Sequence, residues 1–301
     1  MKLTQSREWL AEGPAPSRWR LGYGGGAVLG GGSGRLKTPM RPNRTKEKLH
    51  SGSTVFGCAL QQFRSTEVPR ALAVAGFDYV FIDAEHTGIG LETIQELVAA
   101  SVQAGITPIV RVAELLYSLV ARALDVGAQG IIFPRVEDPR LLAEALQWMR
   151  FPPLGCRGFG VMAPMIDYEQ RSFAEITEHL NANTLAVVQF ETRKAIERRE
   201  ELLDVPGIDV ALVGPADLSI SLGHPGQFDH PELVEAVLRL LESCERRGIV
   251  TGIQCRSTAQ ARVWVERGLR FVGAGNEHTL LLERARESVA ALRAALPTAR
   301  T

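Results

Sequence analysis

The chain has 301 residues, of which 45% are hydrophobic and 23% charged, an ordinary globular composition that suffices for one large single-core domain. Its 34 basic and 34 acidic residues balance to a net charge of zero, and no basic stripe indicates a nucleic-acid or anionic-membrane partner. No apolar run is long enough to span a bilayer. The composition therefore predicts a globular protein without a nucleic-acid or membrane partner.

The N-terminal segment, residues 1–42, differs from the rest of the chain. Two glycine triplets, 24–26 and 30–32, stand among Ser, Pro and Arg residues with little apolar periodicity. Such a composition cannot offset its ordering entropy, so we predict a disordered extension followed by one domain over residues 43–301. A start at Met40 is an alternative, and both interpretations are favoured over a transit peptide.

The body alternates strand and helix patterns in chain order. Eight short apolar runs predict strands, namely Thr54–Leu60, Asp78–Asp83, Thr107–Val112, Gly130–Arg135, Leu185–Glu191, Asp209–Gly214, Ile249–Gln254 and Phe271–Ala274. Helical periodicity lies between them, as in Leu91–Ala104, Leu115–Asp125, Pro139–Arg150, Glu232–Arg247 and Ala259–Arg267. Eight such units predict an α/β fold, a closed (β/α)8 TIM barrel, with an open doubly wound sheet as the alternative.

Two details refine this pattern. Glycine follows several helices before the next strand, at Gly105, Gly127, Gly248 and Gly268, where it is the natural left-handed cap. The longest interval, Arg135 to Leu185, predicts a loop at Phe151–Gly160 and a second helix.

Reactive side chains follow several of the predicted strands. In a TIM barrel the active site lies at the carboxyl ends of the strands. Those ends carry Asp83, Glu85 and His86 on the second strand, Arg111 on the third, Gln189 and Glu191 on the fifth, and Gly214, Pro215, Ala216 and Asp217 after the sixth. Each has an ordinary structural use on its own, but the joint pattern of acids suits Mg²⁺ or Mn²⁺, with a histidine base and an arginine for an oxyanion.

Other chemistries lose support from motifs that the sequence lacks. No GxGxxG follows the first strand, and no GxxxxGK[ST] occurs. No lysine stands at a strand end in the body of the barrel, which weakens a Schiff-base mechanism. The four cysteines are far apart without a CxxC pair, which argues against a thiolate zinc site or disulfides and is typical of a reducing, cytoplasmic protein.

A family resemblance rests on several stretches with similar spacing from about Asn43 to the C-terminus. They are AGFDYVFIDAEH (75–86), PIVRV (108–112), LDVGAQGIIFPRVED (124–138), RFPPLGCRGFG (150–160), VVQFET (187–192), DVPGIDVALVGPADLSISLGHPG (204–226) and FVGAG (271–275). DAEH and GPADLS with QxE between them form a specific signature. The chain resembles the class II, metal-dependent pyruvate aldolases of the HpcH/HpaI family.

This resemblance implies a barrel of the phosphoenolpyruvate/pyruvate type. By it, Glu191 and Asp217 hold a divalent cation (Mg²⁺, Mn²⁺ or Co²⁺), and Gln189 with the backbone of Gly214, Pro215 and Ala216 holds pyruvate. The catalytic residues that it implies are His86, oriented by Asp83 to move the proton, and Arg111, which steadies the enolate oxygen. The implied reaction joins pyruvate and an aldehyde into a 4-hydroxy-2-oxo acid or reverses that step. The implied assembly is a homo-oligomer, a hexamer of dimers.

Departures from the family pattern lie on the side of the second substrate. They are VMAPMIDYEQ (161–170), Ile176 in place of a tyrosine, and residues 87–89 after DAEH. Two alternatives stay open. One is a biosynthetic enzyme similar to macrophomate synthase, which starts from oxaloacetate; the other is a non-catalytic barrel scaffold, against which the retained site residues argue.

Overall fold

A computed structural model describes residues 40–160, 166 and 170–296. Residues 1–39 of the predicted extension 1–42, and most of the divergent stretch 161–170, lie outside these residues. No helix in the described part of the chain is long and apolar enough to cross a membrane.

Eight parallel strands form a closed barrel in sequence order, and the eighth pairs with the first. They are β1 (Val55–Leu60), β2 (Tyr79–Asp83), β3 (Thr107–Arg111), β4 (Gly130–Phe133), β5 (Leu185–Phe190), β6 (Val210–Val213), β7 (Val250–Cys255) and β8 (Phe271–Asn276). The predicted (β/α)8 barrel is confirmed, and the open sheet is excluded because β1 and β8 share a ladder.

Helices surround the strands. They are α1 (Arg44–His50), α2 (Glu67–Ala75), α3 (Leu91–Ala104), α4 (Tyr117–Asp125), α5 (Pro139–Gln147), α6 (Phe173–Asn183), α7 (Arg193–Glu197), α8 (Arg199–Leu203), α9 (Pro215–Ser221), α10 (Pro231–Glu245), α11 (Thr258–Glu266) and α12 (Glu277–Ala294). The predicted second helix of the long interval is α6, which starts at a capping box between Ser172 and Glu175. Gly105 and Gly248 take the left-handed conformation expected of helix caps, with φ of 77° and 68°.

The core has two layers. One fills the barrel interior, where the Tyr79 and Phe271 rings stack with centroids 4.1 Å apart. Gly57 makes room for this stack, because a Cβ there would lie 2.1 Å from the Tyr79 ring. The second layer lies between the strands and the surrounding helices. Together the layers hold the strand ends in fixed register.

Helix α1 closes the amino end of the barrel. Buried Asn43 caps it by accepting from the Lys46 amide, and the Thr45 hydroxyl donates to the Thr107 hydroxyl at the start of β3 (2.8 Å). Lys46 forms an ion pair with Asp209, just before β6 (3.1 Å). Since this end is closed, the carboxyl end is the open mouth of the barrel.

Most of helix α12 is exposed to solvent. Every residue from 281 to 294 is exposed, although the helix carries several large apolar side chains. Those side chains are Leu281 (59% exposed), Leu282 (47%), Val289 (45%) and Leu292 (71%).

Candidate active site

Asp83 and Arg111 form a buried two-pronged ion pair at the mouth. Arg111 Nε donates to Asp83 Oδ1 at 3.0 Å and Nη2 donates to Oδ2 at 2.6 Å. The two residues are register partners on adjacent strands, which brings the two side chains together. Burial raises the pKa of Asp83, but the hydrogen bonds and charge of Arg111 outweigh it, so the pKa is lowered. The pair is therefore charged and rigid.

Glu85 connects this pair to His86. Its Oε2 lies 3.1 Å from Arg111 Nη1, and its Oε1 lies 3.5 Å from His86 Nε2. The expectation that Asp83 orients the imidazole differs from the geometry, because Asp83 Oδ1 accepts the backbone N–H of His86 at 3.3 Å. The sequence Asp-Ala-Glu-His forms a tight turn here, so the carboxylate reaches the backbone and Glu85 meets the ring. The imidazole is half exposed, as a group that meets substrate must be.

Gln189, Glu191 and Gly214 meet at the ends of β5 and β6. Gln189 Nε2 donates to Glu191 Oε2, and both side chains are buried. A Cβ on Gly214 would lie 2.6 Å from Gln189 Nε2 and 2.7 Å from Glu191 Oε2, so only glycine fits there. Gln189 Oε1 is buried without a hydrogen-bond partner in the described chain, and it is free to accept from a bound molecule.

Helix α9 begins directly after β6 and presents Asp217 in its first turn. Pro215 is the first helical residue and has no N–H, so Ala216 and Asp217 supply the first amides of the helix. Both residues are partly exposed, whereas Gly214 and Pro215 are buried. This segment therefore places backbone donors and one carboxylate beside Glu191.

Electrostatics set Glu191 apart. Burial, together with the nearby charges of Glu85 and Asp217, raises its pKa to about 7 against the opposing effects of the Arg135 amide and Arg111. The pKa of Glu85 is also raised by burial. A bound cation would favour the ionised form of these buried carboxylates. A hard, oxygen-preferring divalent cation fits a site whose side-chain donors are carboxylate oxygens.

Three further residues support the site, and none of them is among the site residues that the sequence predicted. Gln61 Nε2 donates to Asp83 Oδ2 at 3.0 Å, and Asn276 Nδ2 donates to Gln61 Oε1 at 2.7 Å. Glu277 Oε1 accepts three consecutive amides, from Gln61, Gln62 and Phe63, at 2.9, 2.5 and 2.9 Å. A closed barrel brings the ends of the first and eighth strands together, so the approach of Asn276 and Glu277 to Gln61 could be expected from the sequence.

The substitutions predicted on the acceptor side are only partly visible. Ile176 is buried in α6, where it belongs to the core. Residues 87–89 follow β2 at the mouth, and the Thr87 hydroxyl donates to the carbonyl of Asp83. Most of the stretch 161–170 lies outside the described residues.

A closed parallel barrel with acids, an arginine and a histidine gathered at its carboxyl mouth is the architecture of a TIM-barrel enzyme. The chain belongs to the HpcH/HpaI aldolase/citrate lyase family, which matches residues 64–283. It is 33% identical over 257 residues to 4-hydroxy-2-oxo-heptane-1,7-dioate aldolase of Shigella sonnei, covering 85% of this chain and 97% of that protein.

Two further comparisons agree. The chain is 30% identical over 239 residues to a hydroxypyruvate/pyruvate aldolase of Sagittula stellata, with coverage of 79% of this chain and 93% of that protein. The crystal structure of an HpcH/HpaI aldolase from Desulfitobacterium hafniense superposes with a TM-score of 0.79 at 30% identity, covering 85% of this chain and 98% of that one. The predicted family is thus confirmed.

Proposed function

We propose that this protein is a carbon–carbon lyase that joins pyruvate and an aldehyde into a 4-hydroxy-2-oxo acid, or cleaves that acid. The observation that carries the proposal is Glu191, a buried carboxylate with a pKa raised to about 7, beside Gln189 and the start of α9. The aldolase names of its relatives support the same reaction class.

The acids of the mouth fit a divalent cation. Glu191 and Asp217 would hold Mg²⁺, Mn²⁺ or Co²⁺, which supplies Lewis-acid stabilisation of enolate charge when bound. The fit rests on the shortage of positive charge around Glu191 and on an all-oxygen donor set.

The chain's own residues divide the remaining tasks. The amides of Ala216 and Asp217, with the second N–H of the Gln189 side chain, orient the keto acid through its acceptor oxygens, and Gly214 leaves room for Gln189 and Glu191 to take up these positions. Arg111, immobilised by Asp83, directs positive charge at the developing enolate oxygen. His86, half exposed beside Glu85, takes the proton from the methyl carbon of pyruvate and returns one after the bond is broken.

The decisive experiment isolates proton transfer from the aldehyde. The protein is incubated with pyruvate in D2O, with chelator or with Mg²⁺, Mn²⁺ or Co²⁺, and loss of the methyl proton signal is followed by NMR. We expect metal-dependent exchange that slows by about 10²–10⁴-fold in His86→Ala. Glu191→Gln and Asp217→Asn should each raise the metal concentration needed for half-maximal exchange.

Glu242→Gln serves as the matched control, because Glu242 is an exposed acid on the outer helix α10. No exchange by the parent protein with any of these metals would reject pyruvate enolisation.

A parallel reaction with oxaloacetate reports the alternative biosynthetic activity: carbon dioxide release without any aldol product would favour it.

We further propose that the protein works as a homo-oligomer in which α12 contacts a second copy. The exposed Leu281, Leu282, Val289 and Leu292 support association, because a lone chain would leave an apolar helix surface in water. Light scattering after size exclusion should give a multiple of the chain mass. The double variant Leu281→Ser, Leu282→Ser should shift that mass downward, and a monomeric parent protein would contradict the proposal.

A further inference from the structure

Two histidines and a glutamate meet between the end of α9 and the first turn of α10. They are His224, His230 and Glu232, named here the His–His–Glu cluster. One potential metal-ligand atom from each residue lies within 4.8 Å of those from the other two. All three residues are partly exposed, so a cation from solvent can reach them. None of them belongs to the cation site proposed at the mouth, which consists of Glu191 and Asp217.

Glu232 is charged and held in place. Its Oε1 pairs with Arg193 Nη1 at 2.8 Å, and its Oε2 lies 2.9 Å from His224 Nε2. Arg193 also donates through Nη2 to the Leu222 carbonyl at 3.0 Å, which ties the carboxylate to the end of α9. Hydrogen bonds from His224 and Arg193 lower the pKa of Glu232, so its carboxylate is ionised, as a metal ligand must be. Outer partners such as Arg193 orient metal-binding carboxylates.

His224 already directs a ring nitrogen at this carboxylate. Its Nε2 is the atom that meets Glu232 Oε2, and its Nδ1 has no hydrogen-bond partner in the described part of the chain. A neutral imidazole carries its proton on either nitrogen. With the proton on Nδ1, the ring offers the electron pair of Nε2 to a cation, which then takes the place of the hydrogen bond.

His230 is the ligand that has to move. Its ring stacks on that of His224, with centroids 3.4 Å apart and 21° between the planes. A metal lies in the plane of the imidazole that binds it, so two nearly parallel rings cannot both point at one ion. The Nδ1 of His230 accepts the Glu232 amide as the N-cap of α10, but this bond is long at 3.3 Å. Rotation of the partly exposed ring about its Cβ–Cγ bond exchanges this weak contact for a metal bond.

We propose that the His–His–Glu cluster is a second metal site, which binds Zn²⁺ and fastens the segment 222–230 to α10. Two imidazole nitrogens and one carboxylate oxygen form a ligand set that zinc takes, whereas Mg²⁺ and Mn²⁺ prefer oxygen ligands. Zinc bonds of about 2.0–2.2 Å set tetrahedral ligands about 3.4 Å apart, so His224 Nε2 and Glu232 Oε2 need to separate by only about half an ångström. The inference is independent of the proposed aldolase function.

The test measures zinc in a variant that lacks the mouth site. Glu191→Gln/Asp217→Asn removes the proposed ligands there, so the zinc that this variant keeps is held elsewhere. The variant is dialysed against Zn²⁺ in excess Mg²⁺, and we expect one bound zinc per chain by elemental mass spectrometry. Adding His224→Phe keeps a ring against His230 but removes both nitrogens. This change should weaken zinc binding by at least about 10²-fold, since loss of even an outer partner costs 10–100-fold.

A second substitution and a control separate ligand loss from misfolding. Glu232→Gln, in the same mouth-deficient variant, removes the anionic ligand without a change of size and should weaken zinc binding to a similar extent. His50→Ala is the control, because His50 is an exposed histidine on α1, and it should leave zinc binding unchanged.

Two further measurements report what the zinc does. In the mouth-deficient variant, zinc should raise the melting temperature and slow amide hydrogen exchange in the segment 222–230, and His224→Phe should remove both effects. Absence of bound zinc, or one zinc that persists in both His224→Phe and Glu232→Gln, would overturn the inference and leave the cluster as hydrogen bonds that cap α10. Pyruvate proton exchange tests the aldolase proposal separately from either outcome.

Discussion

Asp83 and Arg111 are register partners on neighbouring strands, and their side chains form two parallel hydrogen bonds inside the barrel mouth. Arg111→Lys keeps the positive charge but loses the planar guanidinium, which can donate two parallel hydrogen bonds to one carboxylate. We expect kcat for pyruvate proton exchange to fall by about 10²-fold with little change in KM, because the contact strengthens as enolate charge develops. Arg157→Lys is the control, a buried arginine whose ion-pair partner is Asp125 rather than one of the acids of the site. An effect on KM alone would show that Arg111 serves only ground-state binding.

Gly214→Ala tests how closely β5 and α9 approach. The φ of Gly214 is −95°, so alanine meets no backbone strain and the effect is steric. The added methyl must displace Gln189 or Glu191. We expect the free energy of unfolding to fall by about 1–3 kcal/mol and exchange activity to fall by about 10²-fold. Gly90→Ala is the control, since a Cβ at Gly90 meets no atom within 4 Å. Full activity in Gly214→Ala would argue against this site.

Glu277→Gln tests the link between α12 and the first strand. The glutamine keeps one acceptor oxygen but removes the charge that holds three amides of residues 61–63. We expect a loss of about 1–3 kcal/mol in the free energy of unfolding, measured by urea titration. Glu283→Gln changes an exposed acid of the same helix and should be nearly neutral. Equal stability of the two variants would contradict the prediction.

The cysteines should differ sharply in reactivity. Burial raises the pKa of Cys58 and Cys255 to about 12 and that of Cys244 to about 11, whereas Cys156 is exposed. Since the thiolate is the reactive form, a disulfide reagent should modify one thiol per native chain and all four after denaturation. Cys156→Ser should remove the native reaction. A second thiol that reacts rapidly would contradict the packing around β1, β7 or α10.

Glu200 should contribute to stability in a defined pH range. The Ser243 hydroxyl and the charges of Arg247 and Arg246 lower its pKa from 4.5 to about 2. The stabilisation is thus complete above pH 4.5 and is lost as the pH falls towards 2. The carboxylate is 41% exposed, so Glu200→Gln should cost less than about 1 kcal/mol at pH 7. Melting temperatures should differ at pH 7 and converge near pH 2, and a constant difference would reject this account.

The sequence was a good guide where periodicity decides the outcome. Helix α3 has the predicted bounds, and β4 is shorter than predicted because the backbone turns at Arg135. The ion pair between Asp83 and Arg111 could be expected from the sequence, because the two residues end adjacent strands. The bond from Gln61 to Asp83 depends on side-chain reach across a strand, which no spacing rule reveals.

Local backbone conformation is the second feature that the sequence did not predict. Arg135 looks like an ordinary strand residue in the sequence, whereas the structure gives it a positive φ and directs its amide to Glu191. The contact between Glu85 and His86, in place of one between Asp83 and the ring, has the same origin. Local turn geometry decides which of several acids faces a histidine, and tertiary contacts fix that geometry.

The closure of β8 onto β1 has a consequence for synthesis of the protein. Glu277 reaches back across 216 positions to the amide of Gln61, so the seam is made of partners that leave the ribosome at opposite ends of translation. Throughout elongation the outer edge of β1 has no strand beside it, and such an edge invites pairing with other chains. Long-range pairing of this kind also folds slowly. We therefore expect the nascent barrel to depend on chaperones until its last strand emerges.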